Sequence, residues 1–214
     1  MLPELTSTIL RYAKLRAACR AEFEPTGEVI TTLRELPYVE RWKATRARRW
    51  FHIAFEDNSF ITFQAEPGPT YVYLDSPIAA PTLPEYLDQA GYTARDRHSP
   101  DVQEEYANVI ETASLRPHIT PLRYDYDERA YRAGIHPAAH LHIGLDNEIR
   151  IRLRREMSPT AFLLFVLRQR FPVNWELLLR SSLNARLTNL VRNALPTVSA
   201  RFHGELDEGE VYLS

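Results

Sequence analysis

Three histidines lie within seven residues of one another in the segment from His136 to His142, although the whole chain contains only 7. From His140 to Leu145 every second residue is apolar, which predicts a β-strand. In a strand His140 and His142 point to the same side of the sheet. Two neutral imidazoles at that spacing can bind one metal ion, and either can serve as a general acid or base near neutral pH. The segment is therefore a candidate metal-binding or catalytic site.

A second polar face follows along the chain, where arginines alternate with apolar residues between positions 148 and 154. Its arginines are Arg150, Arg152 and Arg154. This strand and the histidine strand must bury the same face, and a three-residue turn over Asp146-Asn147-Glu148 satisfies that condition. The turn predicts three cross-strand neighbours: Leu141 with Leu153, His142 with Arg152, and His140 with Arg154. The histidines and arginines then share one surface.

The strand predicted over residues 119–127 carries a third polar face, because Arg123, Asp125 and Asp127 alternate with apolar and aromatic residues. If it pairs in the same sheet, the Asp125 carboxylate can complete a metal site with the two histidines. Arg123 and Arg152 can then hold a phosphate group. Nearby positive charge lowers a histidine pKa, which favours the neutral form that binds metal or accepts a proton.

These strands define a set of candidate site residues. The candidates for catalysis are His140, His142 and Asp125, and the two histidines are also the candidate metal ligands for a divalent ion. The candidates for ligand binding are Arg123, Arg150, Arg152 and His136. No P-loop, dinucleotide-binding, serine-hydrolase or HExxH motif occurs in the sequence.

Residue types alone leave three interpretations of this face open. It can be the solvated side of an antiparallel sheet, where cross-strand ion pairs contribute little to stability. It can bind a ligand without catalysis, or it can catalyse a reaction. The sequence therefore does not decide whether the protein is an enzyme.

The first half of the chain combines helices with β-hairpins. Helical spacing predicts a helix over residues 3–22, and a short helix is expected over 37–46. Alternation then predicts strands over 50–56, 60–64 and 70–74, the first two joined by the turn Asp57-Asn58-Ser59. Further helices are predicted over 83–90 and 101–113.

The C-terminal part is predicted to be mainly helical. Ser158 and Pro159 are typical of a helix start, and Pro172 ends that helix. An apolar stripe from Trp175 to Val191 predicts one core-facing helix over 174–194. Short strands are expected over 197–202 and 210–213.

Helices that flank runs of hairpin strands favour an α+β fold. We expect a mainly antiparallel sheet with flanking helices, on which the two C-terminal helices pack. The chain is predicted to form a single domain over residues 1–214. Its parts are an N-terminal helical segment to about residue 46, a sheet-containing core of about 47–156, a helical segment of about 157–195 and a short tail.

Composition restricts the partners and the compartment. The net charge of −2 gives no overall attraction to nucleic acid or membrane, so an anion site must be a local patch. A single cysteine, Cys19, excludes an intramolecular disulfide and a cysteine-based zinc site. The charged N-terminal residues do not resemble a signal peptide, and no apolar run approaches the roughly 20 residues of a membrane span. We predict a cytoplasmic protein without membrane association.

The sequence resembles DUF2290, a family of uncharacterised bacterial proteins. The resemblance lies mainly in His136-Pro-Ala-Ala-His-Leu-His-Ile-Gly144, and also in the segments 57–60, 71–77, 123–127 and 158–162. It covers about residues 50–175 and implies no activity.

From the residues we expect an enzyme that acts on phosphoesters, either nuclease-like or nucleotide-processing, with nucleic acid or a phosphorylated small molecule as its partner. The alternative is a non-catalytic binding or adaptor protein whose basic strand face holds nucleic acid or an acidic protein. A protein partner or a homo-oligomer is compatible with either.

Overall fold

The computed structural model describes residues 4–66, 68–145, 149–209 and 212–213. The α-helices of this part are α1 (Thr6–Tyr12), α2 (Gly27–Glu35), α3 (Tyr38–Arg48), α4 (Leu83–Gln89), α5 (Pro100–Thr112), α6 (Pro159–Arg170), α7 (Pro172–Leu179) and α8 (Asn184–Arg192). The strands are β1 (Ala17–Cys19), β2 (Ile53–Phe55), β3 (Phe60–Gln64), β4 (Thr70–Leu74), β5 (Leu122–Tyr126), β6 (Ala139–Ile143), β7 (Ile151–Leu153) and β8 (Tyr212–Leu213). Short 3-10 helices cover Asp96–His98, Ala200–Phe202 and Glu205–Asp207.

The strands of the described residues form one eight-stranded sheet whose spatial order follows the chain from β1 to β8. Each neighbouring pair from β1 to β7 is antiparallel, and β8 runs parallel to β7. Because consecutive strands are also neighbours in space, residues of β4, β5, β6 and β7 form continuous rows across the sheet. The predicted α+β fold with a mainly antiparallel sheet is confirmed.

One face of the sheet carries the larger hydrophobic core. Its strand residues include Ile61, Tyr73 and Leu141, which pack with apolar residues of α1, α6, α7 and α8. Helix α6 begins as predicted, since the Ser158 hydroxyl accepts a hydrogen bond from Ala161 N at 3.1 Å and Pro159 occupies the first turn. Phe162 of this helix is fully buried and contacts the rings of Phe63 and Tyr71.

The opposite face divides into two halves. Its β3–β4 half is covered by a smaller core in which Phe60 and Leu74 pack against Trp42 of α3 and Tyr106 of α5. Its β5–β7 half carries the polar side chains of the candidate site. The site therefore lies beside this smaller core and on the other side of the sheet from α6.

The N-terminal prediction was wrong in two places. The helix expected over 3–22 ends at Tyr12, Lys14 has a left-handed φ of 50°, and Ala17–Cys19 pairs with β2. Helix α2 was not predicted, and none of its residues is buried. The apolar residues Val29, Ile30 and Leu33 of α2 do recur at helical spacing, but they lie in a short segment between Pro25 and Pro37. The pairing of Ala17–Cys19 with a distant strand is not visible in a local pattern.

The single helix predicted over 174–194 is two helices, α7 and α8. Between them the Ser181 hydroxyl donates a hydrogen bond to Leu178 O at 2.6 Å. Such a local bond from a serine side chain competes with the backbone hydrogen bonds that would continue the helix. The apolar stripe still faces the core, because Leu178, Leu183 and Leu187 are buried. The strand predicted over 197–202 is wrong, since Ala200–Phe202 is a 3-10 helix; of the strand predicted over 210–213, Tyr212–Leu213 is observed as β8.

The pairing of β6 with β7 differs from the prediction by two residues. His140 lies opposite Arg152 and Leu141 opposite Ile151, whereas Arg154 and Leu153 were expected. A shift of one residue would exchange the buried and polar faces, but a shift of two preserves them, so alternation alone does not fix the register. The turn predicted over 146–148 lies outside the described residues. Leu141 and Leu153 are buried as expected, and Ile143 and Ile151 are partly buried.

Among the described helices, none has the length and the apolar character that crossing a membrane requires.

Candidate functional site

Strand pairing brings the predicted site residues together on one face. Across the β5–β6 pair, Asp125 lies opposite His140 and Arg123 lies opposite His142. The β4–β5 pair adds Thr70 beside Asp125. The side chains of these residues belong to two adjacent rows of one antiparallel sheet, so the backbone itself fixes their spacing.

The centre of the site is a cluster of three potential metal-binding atoms. His140 Nε2 lies 3.0 Å from His142 Nε2, and Asp125 Oδ2 lies 3.2 Å from His142 Nε2 and 3.8 Å from His140 Nε2. Atoms that bind one ion at about 2.0–2.2 Å lie roughly 3–3.6 Å apart. The two separations from His142 Nε2 fall in this range, and the separation between His140 Nε2 and Asp125 Oδ2 is slightly longer. Two histidines and one carboxylate are a common ligand set for divalent transition metals. Within the described residues, this trio is the group of histidine, cysteine and acidic side chains that meets the geometry of a metal site.

The hydrogen bond of His140 to the backbone fixes which of its nitrogens faces the cluster. His140 Nδ1 lies 2.9 Å from the Pro137 carbonyl oxygen, which can only accept, so Nδ1 carries the proton. The neutral ring then presents the Nε2 lone pair to the other two atoms. A backbone partner on the far nitrogen is typical of metal-binding histidines.

Both histidines are buried, with exposed fractions of 1% for His140 and 4% for His142. Burial lowers the pKa of His140 to about 4, even though the Asp125 carboxylate acts in the opposite direction. Burial alone would raise the pKa of Asp125, but the hydrogen bond from His142 and the charge of Arg123 lower it to about 2. At neutral pH the cluster therefore consists of a carboxylate and a neutral His140, the forms that bind a metal ion.

Two neighbours hold the Asp125 carboxylate. Arg123 Nε donates to Oδ2 at 2.7 Å, and Thr70 Oγ1 donates to Oδ1 at 3.1 Å. Oδ2 therefore contacts both Arg123 and His142, while Oδ1 contacts Thr70 of β4. The orientation of the carboxylate is set by the protein, as a preorganised ligand requires.

The cluster lies at a cavity of about 730 Å³, within the usual range of about 300–1,000 Å³ for small-molecule sites. The cavity lies between the β5–β6 strands, the α2–α3 helices and the segment after β5. Its positive lining residues are Arg34, Arg41, Arg123, Arg129 and Arg150, and its acidic ones are Asp125, Asp127 and Glu128. Among these lining residues the guanidinium groups outnumber the carboxylates, so the cavity favours anions.

Of the remaining predicted residues, His136 and Arg150 line the cavity, whereas Arg152 forms an ion pair elsewhere. His136 lines the cavity, and its ring packs edge-on against His140 with centroids 4.8 Å apart. Arg150 also lines the cavity. Arg152 does not: its guanidinium is buried and forms an ion pair with Asp207 at 2.8 Å. The predicted role of Arg152 as a phosphate clamp therefore has no geometric basis.

Sequence reasoning missed Arg34, Arg41 and Thr70. Arg34 belongs to α2, which had not been predicted, and Arg41 was treated only as part of a short helix. Thr70 contacts Asp125 because β4 pairs with β5. These two strands are separated in the chain by 47 residues that include α4 and α5, so a local sequence pattern does not predict the pairing. Only the expectation of one continuous sheet could have indicated it.

Comparison with known families places the chain in context. The family model described as an uncharacterized conserved protein, DUF2290, matches residues 10–203. No significant match was found among curated proteins, and none among solved structures. The match spans most of the chain, including every candidate site residue, and the protein therefore belongs to the DUF2290 family.

Proposed function

We propose that the protein is a divalent-metal-dependent enzyme that acts on phosphoesters. The observation that carries this proposal is the convergence of His140 Nε2, His142 Nε2 and Asp125 Oδ2 at an arginine-lined cavity. A metal ion with three protein ligands keeps open positions for water and substrate. The buried ligand atoms and the accessible cavity are consistent with that arrangement.

The roles of the residues follow from their contacts. His140, His142 and Asp125 hold the ion, which when bound supplies an acidic water and polarises a phosphoryl oxygen. Arg123 contacts the Asp125 carboxylate and also lines the cavity, so it can orient the ligand set and a bound phosphoryl group together. His136 lies beside the cluster and is suited to exchange a proton with the substrate.

The excess of arginine around the cavity supports a phosphoryl substrate. Guanidinium groups form paired hydrogen bonds with phosphate oxygens and stabilise the charge that develops during phosphoryl transfer. Nuclease-like and nucleotide-processing reactions both fit this chemistry.

Hydrolysis assays test the proposal. The chelator-treated protein is mixed with bis(p-nitrophenyl) phosphate and, separately, with a single-stranded oligonucleotide, and Mg²⁺, Mn²⁺ or Zn²⁺ is added back. We expect turnover that depends on the ion and is lost in His142→Ala. The control His98→Ala changes an exposed histidine outside the cavity and should retain activity. Absence of turnover with all of these ions and substrates contradicts the proposal.

A non-catalytic nucleic-acid-binding protein is the second candidate, and the same arginines favour it. Such a protein would bind an oligonucleotide without cleaving it, and its affinity would fall with salt in proportion to the number of phosphate contacts. Oligonucleotide binding that stays intact in His142→Ala, together with no turnover by the wild type, would select this candidate over the enzyme.

A further inference from the structure

We infer that the cavity contains a second anion subsite, formed around Arg41, that takes another phosphoryl group of the same ligand. This subsite rests on the proposed function for the identity of the first phosphoryl group, which lies at Arg123 and the metal cluster. Arg41 belongs to α3, and Arg34 lies at the end of α2. The two arginines therefore reach the cavity from the helices rather than from the sheet.

The backbone that links α2 and α3 holds the Arg41 side chain in place. Arg41 Nη2 donates to Leu36 O at 3.2 Å and to Arg34 O at 3.4 Å. Both contacts use neutral carbonyl oxygens. Among the described residues, no carboxylate lies within ion-pair distance of Arg41, and its Nε is buried without a hydrogen-bond partner.

The charge around Arg41 is unbalanced. Burial lowers the pKa of Arg41, and the positive charge of Arg123 lowers it further. A partly buried cation near another cation is stabilised when an anion binds beside it. A bound phosphoryl group would supply that negative charge and accept charge-assisted hydrogen bonds from the part of the Arg41 guanidinium that lines the cavity.

The two arginines reach the cavity from different elements, Arg123 from β5 and Arg41 from α3, and they have different partners. Arg123 is tied to Asp125 and hence to the histidine cluster, whereas the described contacts of Arg41 are with the α2–α3 link. A cavity of about 730 Å³ has room for more than one phosphoryl group. The ligand class that fits both positions is a nucleotide unit with phosphoryl groups at both ends, as in a nucleic-acid strand.

Calorimetric binding of thymidine 3′,5′-bisphosphate and thymidine 5′-monophosphate tests this inference. The measurements are made in chelator, so that neither metal nor turnover contributes. We expect the wild type to bind the bisphosphate at least about tenfold more tightly than the monophosphate, because the second group gains charge-assisted hydrogen bonds. Arg41→Gln keeps a donor for Leu36 O and removes the charge, so it should abolish this preference and leave monophosphate affinity within about twofold.

Lys43→Ala is the matched control, because it removes one positive charge from an exposed position of the same helix that does not line the cavity. It should retain the preference. Equal affinity of the wild type for both ligands overturns the inference, as does an equal loss for both ligands in Arg41→Gln. If Arg41→Gln does not fold, two measurements replace it. They are the ratio of bisphosphate to monophosphate affinity in the wild type and the same ratio in Arg34→Gln, which should be smaller. A bisphosphate preference without metal-dependent hydrolysis would refute the proposed function and leave the subsite standing.

Discussion

Arg123 and Arg152 lie on the same face of the sheet, yet their partners give them different roles. The Arg123 side chain is 31% exposed, contacts Asp125 and lines the cavity. Arg152 is only 3% exposed, and its guanidinium binds Asp207 and the Phe202 carbonyl. Asp207 also accepts hydrogen bonds from Tyr131 and from the backbone of Gly134 and Gly204. Arg152 therefore fastens the C-terminal segment to the sheet, and Asp207 in turn connects that segment to the loop before His136.

This difference predicts opposite effects of removing the two charges. Arg152→Met should lower the free energy of unfolding by about 3–5 kcal/mol, because it leaves a buried carboxylate without its cation. Arg123→Met should change stability by less than about 1 kcal/mol, since its ion pair is partly exposed, but should weaken phosphate binding. Urea titration of both variants, with phosphate binding measured in parallel, makes the comparison. Equal stability losses would show that Arg152 is no more structural than Arg123.

Period-two alternation predicts which side chains of a single strand share a face. It places His140 with His142 on one face and Arg123 with Asp125 on another, because strand geometry leaves each residue only two sides. That the two faces merge depended on the assumed pairing of their strands, which the structure shows between β5 and β6. Asp207 and Arg41 could not be predicted in the same way. Their contacts join segments that are distant in sequence, and no local pattern specifies which distant segment a side chain meets.

At the level of elements, continuous apolar stripes were informative about burial but not about where a helix ends. The stripe after Trp175 predicted the buried positions Leu183 and Leu187, although the chain turns at Ser181 and forms two helices. An apolar stripe indicates which residues face the core, and it can continue from one helix to the next when the two are separated by only a few residues. The same reason explains the two-residue error in the β6–β7 register, because both registers bury the same face.

Two leucines of these C-terminal helices should differ in their contribution to stability. Leu187 of α8 is 4% exposed and belongs to the larger core, whereas Leu179 of α7 is 41% exposed. Leu187→Ala should reduce the free energy of unfolding by about 2–5 kcal/mol, as the loss of a buried leucine usually does. Leu179→Ala should cost less than about 1 kcal/mol. Similar denaturation midpoints for the two variants would contradict the packing of α8 on the sheet.

At the level of the whole molecule, the sheet is covered differently on its two faces. One face is packed against α1, α6, α7 and α8, while the other is shared between a small core and the polar cavity. Runs of hairpin strands flanked by helices predicted the α+β fold class. The order of the strands depends on long-range pairing, so the sequence did not specify that the cavity would lie beside the small core.

The stability of the whole fold should decrease in mild acid because of His52. Its ring is fully buried between Phe23 and Phe63, and Nδ1 accepts a hydrogen bond from Phe63 N at 3.1 Å. Burial lowers the pKa of His52 from 6.5 to about 4. Between these two values the unfolded chain binds the proton more readily than the folded one, so stability is lost as the pH falls from about 6.5 to 4.

The expected contribution of His52 to this loss is up to about 3 kcal/mol, since one pKa unit corresponds to about 1.4 kcal/mol. Urea titrations at pH 7 and pH 4.5 measure it. His52→Gln, which cannot be protonated, should show a smaller difference between the two pH values than the wild type. The exposed-site control His98→Gln should behave like the wild type. An unchanged difference in His52→Gln would exclude His52 as a source of acid sensitivity.

Metal titration of the chelator-treated protein is the most direct test of the proposed site. Calorimetry with Zn²⁺ and with Mn²⁺ should give one ion per chain for the wild type and for His98→Ala. His142→Ala and Asp125→Asn, checked for folding by thermal melts, should weaken binding by more than about a hundredfold, because the first removes an imidazole ligand and the second removes the negative charge of the carboxylate ligand. Failure of the folded wild type to bind either ion, or binding that survives both substitutions, would contradict a metal centre at His140, His142 and Asp125.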